Sequence, residues 1–287
     1  MTQPKAIDVK LVEWFDDHWY KVRYINEAKQ EVEDYFASVT TKLGALHKGF
    51  LAHWRGQVGN VEADRIFMEG CDKGSRIHHA WYTYMNGGAV VFQKDRNPAY
   101  TKEEMAEIVK KYKENICVLR RQEDMLDVHK LQRMCQVLKP TPAFNEHTLY
   151  DVDEHDAGTT DNIFDIEAGS YMVAGAKALT LPKGRYIFDL KTGKSIDDTA
   201  RKQVSRYAVM AEKMGLGTIS GALIGHTGAS TRSGIQGLTV VYLTRKQIME
   251  ENEKYLRIAR VWDDNFTTAK PKVFQLPALI SRTDTVK

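Results

Sequence analysis

The sequence predicts an α/β domain in which a largely helical part precedes a set of β-strands. Helix signatures dominate the chain before Pro140, whereas strand-like alternation dominates residues 147–243. At 287 residues the chain could form one large domain or two small ones, since domains usually hold about 100 to 200 residues. We interpret it as one domain: a mainly helical part over 1–140, a sheet core over 141–245, and a C-terminal helix and tail over 246–287.

Three helices are predicted in the first third of the chain. The residues Ser38-Val-Thr-Thr41 offer N-cap side chains for a helix that runs toward Trp54. A second helix is expected after Gly59. A third is expected from Ser75, acting as its cap, to Met85, where Asn-Gly-Gly follows.

The remaining signals before Pro140 also favour helices. Thr101-x-x-Glu104 is a capping box that opens a helix. A further helix is expected from Ile116 to Leu138, because Pro140 cannot continue it. Residues 9–37 combine a short apolar alternation with an acidic stretch that we interpret as helical.

Strand propensity and turn residues mark the second half of the chain. The strands are expected at His147–Val152, Gly158–Phe164, Arg185–Lys191, Thr218–Ile224 and Leu238–Leu243. Helices are expected from Ile196 to Met214, ending at Gly215, and from Arg245 to about Val261. The segment Gly225–Gly234 lacks the Gly-Lys-Ser/Thr ending of a phosphate-binding loop and is interpreted as a hairpin turn.

Composition restricts the class of protein. The formal net charge of +3 with pI near 8.5 permits a polyanionic partner without indicating one. The three cysteines have no C-x-x-C spacing, so neither a disulfide framework nor a zinc or iron–sulfur site is indicated. No apolar stretch is long enough for a membrane span, and no signal peptide is recognised, so we expect a soluble cytoplasmic protein.

The strand Arg185–Lys191 carries the residues of greatest chemical interest. Side chains alternate along a strand, so Ile187, Asp189 and Lys191 share one face. The opposite face is apolar: Tyr186, Phe188 and Leu190. An acid and an amine at a strand end form either an ordinary ion pair or part of a reaction centre, and the strand alone favours the ion pair.

A second acid changes that balance. If the strand with Asp161 lies beside Asp189, two carboxylates form an oxygen-rich site of the kind that Mg²⁺ or Mn²⁺ prefers. The two segments are separated by the insertion Glu167–Gly184, which leaves another pairing open. In that alternative, Tyr171–Thr180 folds back on Arg185–Lys191, and Ala178 faces Asp189.

These motifs together resemble the RecB-like branch of the PD-(D/E)XK nucleases. The resemblance rests on five motifs in order: Ser38-Val-Thr, Gly74-Ser-Arg-Ile-His78, Gly158-x-x-Asp161, Asp189-Leu-Lys191-Thr-Gly and Gln203-x-x-x-Tyr207. It implies a restriction-endonuclease-like core, with a central mixed sheet flanked by helices. Without the resemblance, Gln203 and Tyr207 would be interpreted as ordinary helix surface.

The resemblance also implies roles for individual residues. A Mg²⁺ or Mn²⁺ ion would be held by Asp161, Asp189, the carbonyl of Leu190 and His78, with His79 as the competing histidine. Lys191 would orient or activate water. Two further roles are implied for residues around the centre. Gln203 and Tyr207 would hold the DNA strand or buttress the site, and Glu146 is either a further acid near the metal or an exposed strand-edge residue.

The expected function is therefore a metal-dependent DNA nuclease, an exonuclease acting in replication, recombination or repair. The small chain without an ATPase motor is similar to phage enzymes of this group, which work in the host cytoplasm. The expected partners are DNA ends or single strands, with a recombinase, helicase or single-strand-binding protein beside them. A structure-selective endonuclease is the alternative enzyme, and the Ala178 pairing would instead favour an inactive nucleic-acid-binding module.

Overall fold

A central mixed β-sheet flanked by helices organises the protein. A computed structural model describes residues 3–14, 17–46, 49–94, 98–173, 178–229, 235–265 and 270–271. The strands are β1 (Ala6–Trp14), β2 (Asp17–Ile25), β3 (Glu31–Ser38), β4 (Ala89–Phe92), β5 (Ile116–Leu119), β6 (Thr141–Asp151), β7 (Asp156–Ile166), β8 (Gly169–Tyr171), β9 (Leu179–Leu181), β10 (Gly184–Lys191), β11 (Ile219–His226) and β12 (Thr239–Thr244). The helices are α1 (Val39–Leu43), α2 (Gly49–Val58), α3 (Asn60–Met85), α4 (Lys102–Lys111), α5 (Gln122–Leu138), α6 (Thr199–Lys213) and α7 (Arg245–Asn265).

The strand order explains why the sheet is mixed. Its order is β1-β2-β3-β7-β10-β11-β12, and β6 pairs with β7 as an additional strand. Strand β10 pairs antiparallel with β7 and parallel with β11. The parallel pair needs a long connection, and α6 supplies it. No helix in the described part of the chain is both long and apolar enough to cross a bilayer.

The side chains on the two faces of β10 pack into two separate hydrophobic cores, as the predicted alternation requires. Tyr186, Phe188 and Leu190 pack against side chains of α3 and α5. Ile187 lies on the opposite face, among apolar residues of α6 and α7. Burying a large apolar side chain contributes about 1.5 to 3 kcal/mol, so this strand is held firmly from both sides. The end of β10, where Asp189 and Lys191 lie, is therefore a rigid position.

The helical interpretation of residues 9–37 is wrong. These residues belong to three antiparallel strands, β1 to β3, that extend the central sheet. The physical reason is an alternation of period two: Tyr20, Val22 and Tyr24 are buried along β2, and in β3 the acids Glu31 and Glu33 alternate with Val32. The N-terminal part of the domain is consequently helical only after Ser38.

The predicted helix boundaries between Ser38 and Met85 need correction. Ser38 is an N-cap, accepting a bond from the amide of Thr41 at 2.9 Å, but its helix ends at Leu43 and a separate α2 follows. The helices expected after Gly59 and from Ser75 are one helix, α3, of 26 residues. Ser75 is not a cap, because its hydroxyl donates to the carbonyl of Cys71 within that helix.

The interval between Met85 and Pro140 shows one success and one error. The capping box of Thr101 and Glu104 is present with both of its hydrogen bonds. Residues Ile116–Leu119 are not helical, since they form β5 and pair in parallel with β4. The helix begins only at Gln122. The apolar and β-branched run of β5 suits a short strand better than a helix.

The strands and helices predicted after Glu146 are confirmed, with shifts of up to six residues at their ends; the largest is at β6, which begins at Thr141 and not at His147. Strands β11 and β12 pair antiparallel, as expected around a hairpin connection. Part of the predicted turn, residues 230–234, lies outside the described residues. Gly215 follows the end of α6 with a positive φ of 75°, a left-handed conformation that glycine adopts without strain.

Candidate functional site

An acid and an amine meet at the end of β10. Asp189 is only 4% exposed, and its Oδ2 atom lies 2.9 Å from the Nζ atom of Lys191. The pair ends a strand whose preceding residues, from Tyr186 onward, are buried. The ion pair that strand alternation predicts is therefore present, and the next question is which side chains surround it.

Strand β7 brings a second acid to the same place. The register pairs Ile187 with Ile163 and Phe188 with Asn162, which leads toward Asp161 beside Asp189. The Oδ2 atom of Asp161 accepts a hydrogen bond from the amide of Leu190 at 2.6 Å. The two acids thus lie on neighbouring strands.

The alternative pairing through Ala178 is wrong. Residues Gly169–Tyr171 pair with Leu179–Leu181 in a separate two-stranded sheet, away from β10. The insertion between β7 and β10 therefore satisfies part of its own backbone hydrogen bonding, and it leaves the edge of β10 to β7. Residues 174–177 of this insertion lie outside the described residues.

Helix α3 contributes an imidazole to the cluster. The Nδ1 atom of His78 lies 2.9 Å from the Oδ1 atom of Asp161. His79 follows on the helix about 100° further round, and the histidine in contact with Asp161 is His78. Helix α3 also reaches the residue after β10, since a Cβ atom on Gly74 would be in ordinary van der Waals contact with the hydroxyl of Thr192, at 3.5 Å.

The charges in the cluster are strongly coupled. Burial lowers the pKa of His78, but the charge and hydrogen bond of Asp161 outweigh it and raise that pKa above its ordinary value. Burial raises the pKa of Asp161, yet His78 and the Leu190 amide bring it below its usual range. The pKa of Asp189 is raised, by burial first and then by the charge of Asp161 against the opposing effect of Lys191. The two carboxylates are thus driven apart in pKa, as expected for acids that share a site.

Helix α6 holds the lysine in place. The Nζ atom of Lys191 donates to the Oε1 atom of Gln203 at 2.9 Å, and the Nε2 atom of Gln203 donates to the hydroxyl of Tyr207 at 3.0 Å. Tyr207 is only 3% exposed, so it is not available to hold a DNA strand. Of the two roles implied for this pair, the structure favours buttressing the site.

Gly158 makes room for that buttress. A Cβ atom at this position would lie 2.5 Å from the Cε1 atom of Tyr207, closer than real contacts allow. The glycine of the Gly-x-x-Asp motif therefore has a steric role: it admits the tyrosine ring that supports Gln203 and, through it, Lys191. The adjacent Thr159 bonds the hydroxyl of Tyr20 at 3.1 Å.

Glu146 is an exposed strand residue that lies near Asp161. In β6 it lies between the pairs Asn145↔Asn162 and His147↔Thr160, and so opposite Asp161. Burial and the charge of Asp161 raise its pKa, which indicates that the two acids are close. Its φ of 44° is unusual for a residue other than glycine.

A polar clamp behind the site was not predicted. Trp81 donates from Nε1 to the Oδ1 atom of Asn162 at 2.7 Å, and Asn162 donates to the Oδ1 atom of Asn145 at the same distance. Trp81 is 1% exposed and is a core residue. The one available sequence signal was spacing, since Trp81 follows His78 by one helical turn and Asn162 follows Asp161.

The structure therefore brings together the side chains predicted for the reaction centre: His78, Glu146, Asp161, Asp189 and Lys191. Gln203 and Tyr207 lie behind them. In the described residues, however, no group of three or more His, Cys, Asp or Glu side chains is arranged to hold a metal ion. The oxygens of Asp161 are engaged by His78 and by the amide of Leu190. No protein-family model matches the chain and no curated protein matches its sequence, so the interpretation of the site depends on its geometry.

Proposed function

We propose that the chain is a Mg²⁺- or Mn²⁺-dependent DNA nuclease whose reaction centre is formed by Asp161, Asp189 and Lys191. The observation that carries the proposal is the convergence of two largely buried carboxylates and a lysine where the end of β10 lies beside the middle of β7. A strand-end ion pair needs only Asp189 and Lys191. Asp161 places a second negative charge beside Asp189 where both are poorly solvated, which costs folding free energy. A purely structural ion pair has no need of that second acid.

The donor atoms fit a hard dication. Carboxylate oxygens are the ligands that Mg²⁺ and Mn²⁺ prefer, and the buried Oδ2 atom of Asp189 lies 2.9 Å from the Nζ atom of Lys191. We expect Asp161 and Asp189 to hold the ion, with His78 and the Leu190 carbonyl, and Glu146 near them. When bound, the dication supplies a Lewis acid for the phosphoryl group and a nucleophilic water at neutral pH.

The chain's own residues would complete the reaction centre. The ammonium of Lys191 is fixed by Asp189 and Gln203, so its positive charge is positioned before the substrate arrives. A preorganised charge of this kind stabilises the negative charge that develops on a phosphate in the transition state. Tyr207 holds Gln203, and the Trp81–Asn162 clamp holds α3, which carries His78, against β7.

The exonuclease mode and its endonuclease alternative use the same centre. The inactive-module alternative depended on Ala178 facing Asp189, and that pairing is absent. We retain the exonuclease mode as part of the proposal, with DNA ends or single strands as substrates. A circular DNA substrate separates the two modes, because an exonuclease requires an end and an endonuclease does not.

The proposal is tested with purified protein in Mn²⁺ or Mg²⁺, on labelled linear single strands, linear duplexes and circular DNA. We expect cleavage of linear DNA that stops in excess chelator and in Asp161→Asn. Asp165→Asn is the matched control, since Asp165 lies on the same strand, four residues further on, and pairs with Arg185 outside the cluster. Folded wild-type protein that cleaves no substrate with either ion would reject the nuclease, and full activity in excess chelator would reject the metal.

A further inference from the structure

A buried histidine lies beside the candidate lysine, at the end of the neighbouring strand. Strand β11 runs parallel to β10, and its last residue, His226, is the register partner of Lys191. His226 is only 5% exposed, and the residues before it in β11 include the buried apolar run Ala222 to Ile224. Burying a polar ring costs free energy unless it is hydrogen-bonded, so the partner of this imidazole identifies the contact that the residue provides.

The imidazole bonds the turn that follows Lys191. Its Nε2 atom lies 2.6 Å from the carbonyl oxygen of Gly193. A carbonyl oxygen only accepts hydrogen bonds, so Nε2 carries the proton and donates. A second bond joins the same two segments, since the amide of Thr227 donates to the carbonyl of Lys191 at 3.0 Å. The end of β10 and the residues after it are thus bonded to β11 and its extension through a side chain and through the backbone.

The residues after His226 are adapted to this contact. A Cβ atom on Gly228 would lie 2.1 Å from the carbonyl oxygen of Gly193 and 3.2 Å from the Nε2 atom of His226. Glycine at 228 therefore lets the two segments lie close enough for the histidine to reach the turn. In addition, Lys130 of α5 donates to the carbonyl of Thr227 at 2.8 Å, which fixes the segment next to the imidazole.

The bonded turn connects the lysine to the helix that holds it. Residues 192–198 join β10 to α6, and Gln203 on that helix accepts the hydrogen bond of Lys191 at 2.9 Å. A shift of the turn would therefore move the backbone of the lysine relative to its partner. Lysine has a flexible four-carbon stem, so its ammonium is held at one point only when its backbone and its partner are both fixed.

We infer that His226 is a positioning residue for the proposed nuclease: its hydrogen bond to Gly193 fixes the turn and, through the turn, the ammonium of Lys191. The inference rests on the proposed function, in which Lys191 stabilises the charge of the transition state. Because the imidazole bonds the turn and not the DNA or the ion, its loss should lower kcat and leave KM nearly unchanged.

The test compares two amide replacements that differ in reach. The amide nitrogen of His226→Gln can take the place of Nε2 and donate to Gly193, whereas the amide of His226→Asn ends one bond earlier, near the place of Nδ1. In steady-state cleavage of linear DNA, kcat should fall about fivefold in His226→Asn, with KM near wild type, and stay within about twofold of wild type in His226→Gln. His129→Ala removes an exposed histidine of α5 and should match wild type.

A double-mutant cycle separates positioning of Lys191 from a general structural role. If His226 acts through Lys191, His226→Asn should change kcat by less than about twofold in the Lys191→Ala background. Equal losses in both backgrounds would overturn the inference, and so would a wild-type kcat in His226→Asn. Arg206→Met is the control for stability, since it removes a buried ion-paired cation away from the turn. It should unfold more easily and keep its kcat per folded molecule, so lower stability alone does not lower kcat.

A readout without cleavage lets the two proposals fail separately. Acetylation with acetic anhydride, followed by mass spectrometry, reports how firmly the ammonium of Lys191 is held by its partners. Lys191 should react about twofold faster or more in His226→Asn than in wild type and His226→Gln, because an ion-paired ammonium must leave its partners to react. Lys246, on α7 with its side chain 86% exposed, should react equally in all three proteins. Unchanged reactivity of Lys191 in His226→Asn overturns the inference even if the protein cleaves DNA. Raised reactivity in a protein that never cleaves DNA rejects the nuclease and retains the contact between His226, the turn and Lys191.

Discussion

Two of the three acids of strand β7, Asp156 and Asp161, lie in opposite surroundings. Asp156 is fully buried and contacts two cations, with Lys42 at 2.7 Å and Arg206 at 2.8 Å. Asp161, further along the same strand, contacts His78 and a backbone amide, with no lysine or arginine bonded to it in the described structure. Asp156 is thus compensated by two full positive charges, whereas Asp161 on the same strand is not.

The difference separates a structural charge cluster from a candidate reaction centre. A buried charge is tolerated in a core when opposite charges and hydrogen bonds compensate it. The structural cluster around Asp156 meets that condition. At the candidate site the carboxylates of Asp161 and Asp189, with Glu146 opposite Asp161, face one lysine, Lys191, and one imidazole, His78. This excess of acids is one of the observations that support the metal site we propose.

The largest expected effect tests the candidate site. Asp161→Asn should lower the cleavage rate by about 10³-fold or more, because it removes a proposed metal ligand and charge. DNA affinity in Ca²⁺ should be unchanged or tighter, since one carboxylate that repels phosphates is gone. Rates are measured on linear DNA, and folding is compared by thermal melting. A strong loss of stability in this variant would break the comparison, because Asp161 would then be a structural residue.

The next effect tests the structural cluster. Arg206→Met should destabilise the protein by about 3 to 5 kcal/mol, because it leaves Asp151 and Asp156 buried without their shared cation. Cleavage per folded molecule should remain near wild type. Arg201→Met, on the same helix but partly exposed, is the control and should cost less than about 0.5 kcal/mol. Urea unfolding gives both values, and equal costs for the two variants would contradict the distinction.

Lys191 should show a smaller effect on turnover. Lys191→Ala should reduce kcat by about 10²-fold while leaving metal binding nearly intact, as expected for a charge that acts in the transition state. Lys194→Ala changes an exposed lysine three residues away and should keep kcat near wild type. Steady-state kinetics and Mn²⁺ titration provide the comparison. Wild-type kcat in Lys191→Ala would remove this residue from the reaction centre.

Gln203 should act through Lys191. Gln203→Ala should lower kcat by about tenfold with little change in KM, because it frees the lysine without removing a DNA contact. Gln203→Glu keeps a hydrogen-bond acceptor for Lys191 and should recover part of the rate. A raised KM with unchanged kcat would instead assign Gln203 to holding the DNA strand.

The smallest expected effect is the dependence of stability on pH from the structural cluster. Burial raises the pKa of Asp151, but Arg206 and Lys213 outweigh burial and bring it below its usual range. A depressed pKa in the folded state contributes stability that is present above the unfolded value near 4 and is lost as the pH falls below it. Each pKa unit corresponds to about 1.4 kcal/mol. Urea midpoints between pH 7 and pH 3 should fall less steeply in Asp151→Asn than in wild type.

Local sequence patterns predicted the strands of the site but not the contacts between distant segments. The strand at Arg185–Lys191 was predictable because a short run of aromatic and β-branched residues, Tyr186 to Phe188, has high strand propensity and Gly193 follows the strand. The strands before Ser38 were missed because the acids of β3 were interpreted as a helix surface when they lie on the exposed face of a strand. Periodicity over a few residues decides element type, so an ambiguous period leads to an incorrect element.

Contacts between distant segments could not be derived in this way. The structural cluster joins Lys42, Asp156 and Arg206 from α1, β7 and α6, and no local spacing connects them. The register that sets Asp161 beside Asp189 was one of two possibilities, because the inserted segment before β10 could have taken the same edge. Only the folded chain decides which pair of strand edges buries the most apolar surface.

Gly158 has a consequence for how this sequence can vary. Because any Cβ at this position would overlap the ring of Tyr207, the residue types at position 158 of β7 and position 207 of α6 depend on each other. Replacing the tyrosine with phenylalanine would not relieve the overlap, since the ring carbon remains, so only a non-aromatic residue at 207 would admit a larger residue at 158. Single substitutions in either direction leave a clash or a void. A change at one position is therefore tolerated only with a change at the other. We expect glycine at 158 and an aromatic ring at 207 to be kept or lost together in evolution.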